Sequence, residues 1–96
     1  MNDVKDLGVD LYEPTKELTF GEKLVGITFN PSNDEKVHKL KSLFAEAANI
    51  VKETFEESNS TDAEHENLRK IVFVESIGEI LKAQMCAVKL VTIKNQ

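Results

Sequence analysis

The residues of this chain that could do chemistry cluster in "LTFGEKLVGITFNPSNDEK", Leu18 to Lys36. Two hydroxyl residues there, Thr19 and Ser32, each stand three positions ahead of a glutamate, Glu22 and Glu35. That spacing is a capping box, in which the hydroxyl accepts from an orphan backbone N–H and the glutamate reaches back to the cap. Two helix starts with free N–H groups therefore flank one lysine, Lys23, and such a neighbourhood suits an anion. A Walker phosphate loop is not written here, because the spacing Gly-x-x-x-x-Gly-Lys-Ser/Thr is absent.

Other chemistries find less to work with. His38 and His65 are far apart, with no His-x-x-x-His pair and no cysteine cluster, so no metal is expected. Metal-free phosphodiester hydrolysis would use paired His-x-Ser/Thr motifs, and the histidine runs here are "HKL" and "HEN". No serine sits in a Gly-x-Ser-x-Gly turn. Glu75 and Glu79 lie four apart on one helix face, but Glu79 and Lys82 read more simply as a surface ion pair. No enzymatic activity and no cofactor is expected. Tyr12 is a polar-tipped aromatic in an irregular segment, able to stack on a base or to anchor that segment.

Composition narrows the class further. Ninety-six residues make one small domain, and the net charge of −5 argues against DNA or RNA polymers as partners. The charge is uneven: residues 80–96 carry Lys82, Lys89 and Lys94 without a carboxylate, whereas residues 1–22 hold six acids against two lysines. A local positive pocket thus remains open to an acidic protein. No 18-residue apolar run and no basic-then-apolar leader is visible, so neither a membrane span nor a signal peptide is expected. A single cysteine, Cys86, reads as a buried small hydrophobe, consistent with a reducing cytoplasm.

Positioning falls to helices, and the expected fold is all-α. Residues 1–17 show no period and read as an N-terminal arm. Residues 18–96 form a helical hairpin domain, opened by a short turn from Thr19 to about Gly26. A first long helix is expected from about Ser32 to Glu57, with Asn30 and Pro31 as a rival start. Its stripe runs through Val37, Leu40, Leu43, Phe44, Ala47, Ala48, Ile50, Val51 and Phe55. The polar "EESNSTD" is the loop, and a third capping box, Thr61 with Glu64, opens a second long helix from about Asp62 to Ile93.

This second helix carries two stripes. One is Leu68, Ile71, Val74, Gly78, Leu81, Met85 and Val88; the other is Phe73, Ile77, Ile80, Ala87, Leu90 and Val91. A single antiparallel partner covers only one of them, and the helix must also project past it. Assembly into a homo-oligomer is the simplest way to cover the other.

The run "LTFGEKLVGITFNPSNDEKVHKLKSLFAEAANIV" and the tail "EILKAQMCAVKLVT" together resemble a family of small phage and prophage proteins. That family has a Thr-Phe-Gly-Glu-Lys, Val-Gly, Phe-Asn-Pro-Ser pattern, then Ala-Gln-Met-x-Ala-Val-Lys. A tryptophan usually follows the methionine, where this chain has Cys86. The resemblance covers roughly residues 18–92 and is to the anti-CBASS and anti-Thoeris cyclic-nucleotide sponges.

Such a resemblance implies a helical homohexamer in the host cytoplasm that sequesters cyclic oligonucleotides, such as cyclic GMP-AMP-like messengers, without cleaving them. It implies pockets between protomers, with Lys23 and Lys89 as phosphate contacts inside matched motifs. Thr19, Phe20, Thr28 and Asn30 would line the pocket. Tyr12 and Arg69 lie in less clearly matched regions and take stacking and phosphate roles by residue type. The alternative is an oligomeric helical adaptor whose exposed stripe binds a host or phage protein.

Overall fold

A computed structural model of the chain describes residues 17–31 and 33–95. Residues 1–16 of the arm, Tyr12 among them, and Ser32 lie outside the described residues. Three helices follow in order: α1 (Phe20–Val25), α2 (Glu35–Glu57) and α3 (Ala63–Lys94), with no strand among the described residues.

The first capping box forms as the sequence predicts. Thr19 Oγ1 accepts from the Glu22 N–H at 3.1 Å, and the Thr19 N–H donates to Glu22 Oε1 at 2.8 Å. Gly26 ends α1 in the left-handed region at φ 63°, which costs a residue without a β-carbon little.

The other two helix starts are corrected. Asp34, not Ser32, caps α2, its carboxylate accepting from the Lys36 N–H at 2.7 Å. Asn33 sits at φ 54°, and its N–H closes a turn on Asn30 O, so the Asn-Pro step makes a turn rather than the first helical residues. Asp62, not Thr61, caps α3, its Oδ1 accepting from the N–H groups of Glu64 and His65. In both places an aspartate nearer the helix supplies the cap, and its negative charge also suits the helix dipole.

α2 and α3 pack antiparallel, pinned at both ends. The Asn95 amide donates to Asp34 Oδ2 at 2.6 Å at one end, and Arg69 binds the backbone of Phe55 and Ser58 at the other. At 1.5 Å per residue α2 is about 35 Å long and α3 about 48 Å, so α3 outreaches its partner.

α1 lies flat on α2. A β-carbon at Gly21 would stand 1.9 Å from the Ala45 carbonyl oxygen, so only glycine allows this approach. The α2 face beneath α1 and its loop runs Val37, Lys41, Ala45, Ala48 and Asn49 at helical spacing.

The core is thin. Among the described residues its buried hydrophobics are Val25, Val37, Ala45, Ala48 and Val91, and no large side chain is fully buried. Of the two expected α3 stripes, the one with Phe73, Ile77, Ile80, Ala87 and Val91 is the more covered, although Leu90 is exposed. The other stays open, with Leu68, Ile71, Val74 and Met85 all more than half exposed. Leu43 and Ile50 of α2 are exposed as well. Cys86 is exposed, not buried, because it lies on the side of α3 that α2 does not reach.

Candidate functional site

The Thr-Phe-Gly-Glu-Lys run is mostly spent on building α1. Thr19 and Glu22 form the cap. Asn49 of α2 binds both neighbours of Phe20: its Oδ1 accepts from the Gly21 N–H at 2.7 Å, and its Nδ2 donates to Thr19 Oγ1 at 3.0 Å. Phe20 is half-buried, with Lys52 Nζ 5.8 Å from its ring centre. A shallow cavity of about 250 Å³ brings Thr19 and Phe20 together with Asn49, Lys52, Glu53 and Glu56. The Lys23 backbone helps close α1, but its side chain is exposed and its ammonium has no partner among the described residues.

Thr28 and Asn30 line a second cavity of about 380 Å³ with Ile27, Asn33, Asp34, Glu35 and His38. The Asn95 amide, the Lys36 N–H and the nearby Lys94 charge hold the Asp34 carboxyl below its usual range, so it stays ionised near neutral pH. With Glu35 beside it, this cavity repels a phosphate unless cations from another chain segment enter.

The loop over α2 is fixed from below by Lys41. This lysine is only 6 % exposed, and its Nζ donates to Gly26 O at 3.0 Å and to Phe29 O. It also lies 5.4 Å from the centre of the Phe29 ring. The loop carrying Thr28 and Asn30 therefore keeps its shape through a buried charge with two carbonyl acceptors.

Arg69 is committed to the fold rather than free for a ligand. Its guanidinium donates to the Phe55 and Ser58 carbonyls, which terminate α2, and forms a forked pair with Glu66 at 2.7 Å to each oxygen. It also covers the Phe55 ring, 4.5 Å from the centre. Lys89, by contrast, is exposed four residues beyond Met85, on the uncovered side of α3.

A groove of about 490 Å³ opens between the second half of α2 and the first half of α3. Phe55 and Phe73 stack at its floor with ring centres 4.4 Å apart, and Ile50, Leu68 and Val72 form its rim. Its lining is mainly apolar and suits hydrocarbon or aromatic groups better than phosphate.

One chain thus gathers the sequence-predicted residues into pairs, Thr19 with Phe20 and Thr28 with Asn30, and does not collect them into a single pocket. Sequence reading missed Lys41 and Asn49, which sit four residues either side of Ala45 on a face that shares only Val37 and Ala48 with the expected stripe. It also missed Gln84, which is 4 % exposed with no side-chain hydrogen bond among the described residues. Among those residues no three His, Cys, Asp or Glu side chains gather as a metal site would require, and no helix is long and apolar enough to cross a membrane. Comparison with known protein families, with curated proteins and with solved structures gives no match.

Proposed function

We propose that this protein binds cyclic oligonucleotides and sequesters them unchanged, in pockets completed by contact between copies of the chain. Lys23 carries the reading. Folding accounts for Thr19, Gly21 and Glu22 in its motif, yet leaves this cation exposed and without a partner among the described residues. Lys89, in the second motif, is exposed too. A cyclic dinucleotide has two phosphates related by an approximate twofold axis, and a lysine repeated by symmetry offers one ammonium to each. Doubling the lysine in this way also lets an acidic chain hold an anion. The uncovered stripe of α3 supplies apolar surface for bringing copies together.

The test is depletion and recovery. Purified protein is incubated with a panel of cyclic di- and trinucleotides, including cyclic GMP-AMP, and free ligand is measured before and after denaturation. Sequestration predicts loss of free ligand and its full, unaltered return. Altered products would point to an enzyme. No depletion across the panel would overturn the nucleotide reading in favour of an oligomeric helical adaptor, which the apolar α2–α3 groove also favours.

A further inference from the structure

The open face of α3 has a centre. Gly78 stands at the middle of the helix, with fifteen residues before it and sixteen after. It is exposed, and a β-carbon there would meet nothing within 4 Å among the described residues, whose packing gives no reason for a glycine. Ile71 and Val74 precede it on the same face and Met85 follows, all more than half exposed.

Charge on this face is sorted about the same centre. Within roughly 60° of Gly78 around the helix, at about 100° per residue, the preceding half carries Glu64 and Glu75. The following half carries Lys82 and Lys89. A parallel copy would set acid against acid and lysine against lysine. An antiparallel copy sets acid against lysine along the whole length.

We infer that α3 pairs antiparallel with α3 of a second copy, on a twofold axis passing beside Gly78. Ile71 then faces Met85 of the other chain in both halves of the interface, and Glu75 comes within reach of the other chain's Lys82. The missing side chain at the crossing lets the two backbones approach closely, as small residues do at helix contacts. A strip about 48 Å long and about 10 Å wide on each helix gives on the order of 1,000 Å² buried in total, the lower end for a specific contact. Lys89, about 20° from Gly78 around the helix and eleven residues along it, lies on the strip towards its end.

This pairing rests on the proposed self-association but not on nucleotide binding, and its test is run without nucleotide. In a Cys86→Ser background, cysteines are placed singly at Gly78 and at Met85 and as the pair Ile71→Cys with Met85→Cys. Each protein is mildly oxidised and run on a non-reducing gel.

The pairing predicts a covalent dimer from Gly78→Cys, whose thiols meet at the axis, and from the Ile71/Met85 pair. It predicts little from Met85→Cys alone. The Ile71/Met85 pair retains Gly78 and so tests the register even if the glycine change disturbs packing. Efficient cross-linking of Met85→Cys to itself would overturn the antiparallel sense. Sedimentation of the full chain as a monomer at tens of micromolar would overturn the interface. Unchanged nucleotide depletion alongside Met85→Cys self-cross-linking would leave the binding reading standing, whereas depletion by a monomer would keep sequestration but not pockets between copies.

Discussion

Gly21 lies so close to the backbone of Ala45 that a β-carbon on it would collide with the Ala45 carbonyl. Replacing Gly21 with alanine forces the two helices apart or strips the Asn49 hydrogen bond. Overpacking of this kind costs about 1–3 kcal/mol. Urea unfolding of Gly21→Ala should show that loss, and exchange of the α1 amides should accelerate most.

Lys41 makes a separate test of the loop. Lys41→Met keeps the volume of the stem and leaves the Gly26 and Phe29 carbonyls without their ammonium donor. The expected destabilisation is about 1–3 kcal/mol. Amide shifts measured by NMR should concentrate at residues 26–30, and a spectrum unchanged there would mean that the loop holds itself.

Lys23 and Arg69 should separate binding from folding. Lys23→Ala is expected to leave the unfolding midpoint within about 0.5 kcal/mol of wild type, while nucleotide affinity falls at least about tenfold, as loss of a charge-assisted contact implies. Arg69→Gln should do the reverse first, lowering stability by about 1.5–3 kcal/mol as the end of α2 loses its donor. Any binding loss there should track unfolding. Paired calorimetric and denaturation curves distinguish the two.

Gln84 predicts a gain. Its amide is buried without a partner among the described residues, and Met replaces it with nearly equal volume and no polar group. Gln84→Met should stabilise the chain by about 1 kcal/mol. A loss of similar size would reveal a hydrogen bond made through water or another copy.

Asp34 sets the acid limit of the hairpin closure. Its carboxyl titrates below the ordinary value because Asn95 and the Lys36 N–H bind the ionised form. A carboxylate whose folded pKa is depressed stabilises the fold above its unfolded pKa, about 4. It loses that effect as pH falls through the folded value. Wild type should therefore exceed Asp34→Ala in urea midpoint at neutral pH, with the difference shrinking below about pH 4. A difference independent of pH would show that the carboxylate charge does not matter.

Much of the hairpin was legible because helical stripes and polar loops are local patterns. The first cap was read correctly from Thr19 and Glu22. The next two were shifted because Asp34 and Asp62 compete with nearby hydroxyls, and a carboxylate wins where its charge also meets the helix dipole. Cys86 and Leu90 were misplaced for a different reason. α3 is apolar around much of its circumference, so spacing alone does not say which side meets α2. Arg69 was beyond local reading, since its partners lie eleven and fourteen residues away across a loop. Lys41 was within reach: a lysine four residues from both Val37 and Ala45 occupies a core position by spacing alone.

Among the described residues the buried hydrophobics are three valines and two alanines, a core that contributes little stability on its own. If copies supply the rest, folding becomes a reaction of higher than first order in protein. The unfolding midpoint then rises with chain concentration. Newly made chains would be the most vulnerable to proteases, and accumulation itself would protect them.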